Sequence, residues 1–118
     1  MRGRVSTEMG KIVIDTDVIA KYAGSVAMEV VGVVGMASIN VKDGLWNLLR
    51  IENISHGVEA KIVDKKLEIH MHVIAAYGTN LKTVAINIID SVKHCINEYI
   101  GMEVSNIIVS IEGVRVTE

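Results

Sequence analysis

Four aliphatic side chains, Leu67, Ile69, Met71 and Val73, alternate with Glu68, His70 and His72 along one short segment. Successive side chains on an extended chain point to opposite faces, so this alternation sends one face into an apolar core and the other into water. The run continues to Ala76 and is preceded by Val58–Val63 (VEAKIV), with Asp64, Lys65 and Lys66 between the two. Two such runs around a polar turn predict an antiparallel hairpin over 58–63 and 67–76. A lone hairpin cannot cover its own apolar face, so other parts of the chain must supply the cover.

Two helical stripes are available for that purpose. Val18, Ile19, Tyr22, Ala23, Val26, Ala27, Val30 and Val31 recur at helical spacing. Asp15 stands where its carboxylate can cap the first turn, Asp17 adds charge where the helix dipole favours it, and Gly32 is the expected stop. Gly24 within this helix costs about 1 kcal/mol relative to Ala, a loss that close approach of a second backbone would offset. The second stripe holds Leu81, Val84, Ala85, Ile88, Ile89, Val92, Ile96, Tyr99 and Ile100. Thr79 is the expected cap and Gly101 the stop, with Cys95 on the border of the apolar face.

Short strands are expected at 10–14 (GKIVI), where β-branched residues favour an extended backbone, and at 104–111, where Ile107, Val109 and Ile111 share a face. Residues 1–9 are expected to be a flexible leader, and 37–56 a variable insert. Within the insert, Leu45, Trp46, Leu48, Leu49 and Ile51 follow Lys42 and Asp43 in a pattern that suits a short amphipathic helix. The order is β-α-(variable)-β-β-α-β. One arrangement satisfies every apolar face: an α+β domain over 1–118, with both helices on one face of a small mixed sheet of three or four strands.

Composition narrows the function classes. Of 118 residues 50% are hydrophobic and 22% charged, with no Pro, no Phe and one Trp, so an aliphatic core replaces an aromatic one. The net charge of −2, with Arg2, Arg4 and Lys11 sparsely spaced, argues against a nucleic-acid-binding stripe. The opening MRGRVSTEMGK has no signal-peptide character, and no apolar run reaches the roughly 18 residues of a membrane span. A cytoplasmic chain is expected, with any membrane contact peripheral or made through a partner. Cys95 is the single cysteine, so an intramolecular disulfide is excluded.

No constellation of residues announces catalysis. His70 and His72 share a strand face, with His56 near the preceding turn, but no Cys/His spacing or Glu partner completes a metal-ligand set. His94 and Cys95 are adjacent on a helix and point about 100° apart, which rules them out as a base–nucleophile pair. The expectation is therefore no catalytic residue, no metal and no cofactor. Gly32-Val33-Val34-Gly35 matches the GXXG loop of KH nucleic-acid-binding domains, the alternative reading, but both central residues are Val and the next cation is Lys42. Leu45, Trp46, Leu48 and Leu49, with His70 and His72, form the candidate partner surface, because Trp often dominates interface energy. The favoured alternative is that the cluster folds down over one end of the core, as apolar clusters of this kind often do.

The stretch TEMGKIVIDTDVIAKYAGSVAMEVVGVVGM (Thr7–Met36) resembles the opening of the alkaline shock protein family, the Gls-type envelope stress proteins. The resemblance continues through GVEAKIV, LEIHMHVIAAYGTNLKTVA and VSNIIVSIEGVRV, with Tyr22 and Met28 as departures that keep the helix pattern. It implies a non-enzymatic bacterial protein of the envelope stress response that acts as a scaffold or regulatory adaptor. It further implies homo-oligomers and protein partners, either a membrane anchor protein or, through fatty-acid synthesis and lipid homeostasis, acetyl-CoA carboxylase. For self-association, the strand at Lys11–Asp15 is the expected element of exchange between subunits.

Overall fold

The computed structural model describes residues 2–7, 10–40, 45–48 and 57–116. Strands β1 (Arg2–Thr7) and β2 (Gly10–Asp15) form an antiparallel hairpin, with Arg2 opposite Asp15 and Thr7 opposite Gly10. The leader expected at 1–9 thus includes a strand.

Asp15 caps helix α1 (Thr16–Met28) as anticipated, its Oδ1 accepting the Asp17 N–H at 2.9 Å. The buried face consists of Ile19, Ala20, Ala23, Gly24 and Ala27, whereas Val18 and Val31 at the ends of the expected stripe face solvent. Gly24 is thus buried in mid-helix among three alanines. The helix ends three residues short of the expected Val31, and the Glu29 N–H turns back to the Val26 carbonyl. Gly32 then adopts φ +97°, and a Cβ there would sit 2.7 Å from Val84 Cγ2. Both backbone conformation and space require glycine at this turn.

Strand β3 (Val33–Asn40) leads to β4 (Leu45–Leu48), and the two pair antiparallel with Ile39 opposite Trp46. The amphipathic helix expected at 42–51 is corrected by this: Leu45, Trp46 and Leu48 lie on a strand, and Leu49 lies outside the described residues. A short apolar run is ambiguous between the two states, and a strand partner decides it. Strands β5 (Val58–Val63) and β6 (Lys66–Ala76) form the expected hairpin, Val63 opposite Lys66. The turn places Asp64 and Lys65 at φ +50° and +66°, the two positive values that a tight two-residue hairpin turn demands.

Helix α2 (Leu81–Cys95) is capped by Asn80, whose side-chain oxygen accepts the Thr83 N–H at 3.1 Å. Thr79, the expected cap, instead donates its hydroxyl to the Ala76 carbonyl at 2.7 Å. The two lie side by side, and only the backbone path selects between them. A π-helical turn (Ile96–Ile100) extends the helix to Gly101, which ends it at φ +81°. Strand β7 (Val104–Arg115) follows, four residues longer than expected.

β6 is the organising strand. Its one edge is shared, β5 pairing residues 66–71 and β3 pairing 73–75, both antiparallel. Its other edge is taken by β7 in parallel from Leu67 to Ala76. With β4 beyond β3, the mixed sheet has five strands, one more than the upper expectation. Leu67, Ile69, Met71 and Val73 are all buried and meet Ile19, Ala23, Ile88, Val92 and Ile96 in one core cluster. Each fully buried aliphatic side chain of this kind contributes about 1.5–3 kcal/mol. Both helices therefore lie on one sheet face, and the fold is α+β as expected.

Candidate functional site: the sheet face away from the helices

The sheet face opposite the helices is built from alternate residues of three strands. On β6 these are Glu68, His70 and His72; across β5, Lys61 lies opposite Glu68 and Glu59 opposite His70. Across β7, His70 is level with Ile108 and His72 with Ser110. The pleat that buries Leu67, Ile69, Met71 and Val73 thus aligns these polar groups on the reverse side.

Both histidines are held in place. His70 Nε2 and Ser110 Oγ are 2.6 Å apart. His72 lies between two carboxylates, its Nδ1 at 3.4 Å from Glu112 Oε1 and its Nε2 at 3.7 Å from Glu59 Oε1. The His72 side chain is only 13% exposed and that of Glu112 18%, against 76% for Glu59. Lys61 Nζ and Glu68 Oε2 stand 3.8 Å apart at the margin, and a groove runs across Glu59, Lys61, Glu68, His70, Asn106 and Ile108. Ile108, level with His70 on β7, is about half-exposed.

The sequence offers no Glu partner that completes a metal-ligand set with these histidines, and the topology brings Glu59 and Glu112 to His72. Their sign in the sequence is parity. Glu59 alternates with the apolar residues of β5, and Ser110 and Glu112 alternate with Val109 and Ile111 of β7. Which strands flank β6 is not written in that parity. Among the described residues, no group of three or more His, Cys, Asp or Glu is disposed to hold a metal ion.

The other proposed partner residues are placed elsewhere. Leu45, Trp46 and Leu48 lie on β4, separated from β6 by β3, so the sheet order does not make them strand neighbours of His70 and His72. Leu49 and His56 are outside the described residues. His94 is exposed beside Asp90, Lys93, Asn97 and Glu98, whereas half-buried Cys95 turns towards α1, where it meets the Tyr22 phenol. Partial burial, then the Cys95 thiol, Tyr99 and Glu29, raise the Tyr22 phenol above its ordinary 10.0. The Gly32–Gly35 stretch is not a loop: Gly32 closes a turn, Val33 onward is β3, and Gly35 is buried. A backbone clamp on phosphates needs an exposed loop, which this stretch does not provide.

No helix among the described residues is long and apolar enough to cross a membrane. The architecture is similar to the MamM CTD in a zinc form, at TM-score 0.56 and 11% identity, over 87% of each chain. That likeness concerns the fold alone.

In sequence the chain is 43% identical to the uncharacterized protein YloU of Bacillus subtilis (strain 168), over 94% of this chain and 93% of that one. It is 33% identical to the uncharacterized protein Spy1614 of Streptococcus pyogenes serotype M6, over 98% and 97%. The model of the alkaline shock protein 23 family, described by its cell envelope-related function, matches residues 4–116. The resemblance carried by Thr7–Met36 and the later blocks is thereby established, and the chain belongs to the alkaline shock protein family.

Proposed function

We propose that this protein is a non-enzymatic scaffold or regulatory adaptor of the cell envelope that works through self-association and protein partners. The observation that supports this most is the division of labour between the two sheet faces. One is filled by both helices, and the other presents an ordered set of polar side chains beside exposed Ile108. On that second face the histidines engage the protein's own Ser110, Glu59 and Glu112, so their hydrogen-bonding capacity is directed at fixing a surface. Polar groups around exposed apolar residues make the mixed surface from which protein–protein contacts are built.

On this reading the chain is cytoplasmic and reaches the membrane periphery through another protein. The family resemblance adds a membrane anchor protein or acetyl-CoA carboxylase as partner and lipid homeostasis as the process served.

Two measurements test the proposal together. Light scattering over a concentration series should report masses above the monomer. The purified chain should also bind native envelope membranes, lose that binding after the membranes are treated with protease, and ignore protein-free vesicles. Binding to bare lipid, or a strict monomer at high micromolar concentration, would contradict it.

A further inference from the structure

The two edges that flank β6 are guarded very differently. β5 is six residues long, carries Glu59 and Lys61, and runs into Asp64, Lys65 and Lys66. β7 is twice that length, and its first eight residues, VSNIIVSI (Val104–Ile111), contain no charge, no Pro and no Gly. Among the described residues β7 pairs with β6 alone, so its outer edge has no strand partner. Edges that stay unpaired in solution usually carry Lys, Pro or a short strand, because an open ladder of N–H and C=O groups invites another chain. The β7 edge has none of these protections over its first eight residues.

The helix beside it carries partly exposed isoleucines on the same side. Ile89 and Lys93 of α2 line a groove with Val104, Ser105, Asn106 and Ile107 of β7. Ile86, one turn before Ile89 on that flank, is 46% exposed. An uncharged strand edge adjacent to a helix flank that exposes Ile86 suits a partner of the same shape.

We propose that two copies of this chain pair β7 to β7 in antiparallel fashion about a twofold axis, joining their sheets into one of ten strands. Such an interface is isologous, so each residue meets its mirror position in the strand. Both copies keep their helices on the same side only if facing residues share a pleat face, which places the axis on a residue rather than between two. An axis at Val109 keeps the centre free of charge, and with the irregularity between Ile111 and Gly113 it brings Arg115 of each copy level with Val104 of the other, next to Glu103. It also brings the Ile86 and Ile89 flanks of the two α2 helices towards each other. This inference rests on the self-association in the proposed function and specifies its surface.

The test uses the full chain in sedimentation velocity over a concentration series, as wild type, Ile108→Lys and Tyr99→Lys. Ile108 is 48% exposed on β7, so lysine fits the monomer there while placing two like charges near the axis; Tyr99, 74% exposed, sits by α1. The dissociation constant should rise at least about tenfold for Ile108→Lys and stay unchanged for Tyr99→Lys. Independently, Val109→Cys in a Cys95→Ser background should crosslink to itself with a short bis-maleimide, and Lys61→Cys should not. A dimer that survives Ile108→Lys and crosslinks through position 61 overturns the β7 interface and leaves self-association standing. Dissociation by Ile108→Lys with no crosslink at 109 overturns the axis, and a monomer at every concentration overturns both readings.

Discussion

The imidazoles of His70 and His72 lie with their ring centroids 4.3 Å apart and their planes tilted by 34°. They are two residues apart on one pleat face of β6, and their main partners, Ser110 and Glu112, are two apart on β7. The parallel ladder thus matches one pair with the other. A fully wet face would make His70→Ala almost silent, within about 0.5 kcal/mol. Because His70 is half-buried and bonded to Ser110, the expected loss is about 1 kcal/mol in urea unfolding, and His72→Ala should cost about 1–2 kcal/mol by isolating Glu112. Losses under 0.5 kcal/mol at both sites would show the network to be solvated.

Gly32 is constrained twice, by φ +97° and by Val84 Cγ2. Gly32→Ala should therefore lower stability by about 1–3 kcal/mol. Adding Val84→Ala removes the steric part and leaves the conformational part. Chemical denaturation of the double variant should show less than the sum of the two single losses. Additive losses would locate the whole cost in the backbone.

Core truncations should rank by burial rather than by position in the apolar stripe. Ile88 is fully buried between helix and sheet, and Ile88→Ala should cost about 2–4 kcal/mol. Val26 is only partly buried, so Val26→Ala is expected near 1 kcal/mol, below the core-sized loss that its place in the stripe suggests. Equal losses at the two sites, measured as shifts in urea midpoint, would mean that α1 is rotated relative to the packing described.

Tyr22 and Cys95 join the two helices, and the phenol is raised above its ordinary 10.0. A folded value above the unfolded one means that the contribution is complete below pH 10.0 and is lost as pH rises through the folded value. Unfolding curves at successive pH values should show wild type falling more steeply than Tyr22→Phe in that window. Parallel profiles for the two proteins would remove the phenol as the cause.

Much of the secondary structure is legible in the residues themselves, because period and capping are local properties. The alternation from Leu67 to Val73 names both the strand and its buried face. The VEAKIV run and the polar turn after it predict a hairpin, and the stripe around Ile88 predicts α2. Asp15 and Gly101 mark a start and a stop with side-chain and backbone chemistry that needs no distant partner. What tertiary structure alone decided is adjacency. Alternation tells which way His72 points but not that β7 lies beside it in parallel, bringing Glu112, nor that β5 and β3 share the opposite edge of β6. The segment around Trp46 became a strand because β3 offered it a ladder, a choice that four residues cannot encode alone. In α1 the apolar stripe extends beyond the buried face, since Val18 and Val31 lie where no other element covers them. Side-chain period is set within a few bonds, whereas the pairing of strands is set by which distant surfaces fit, and the candidate site is made from pairings.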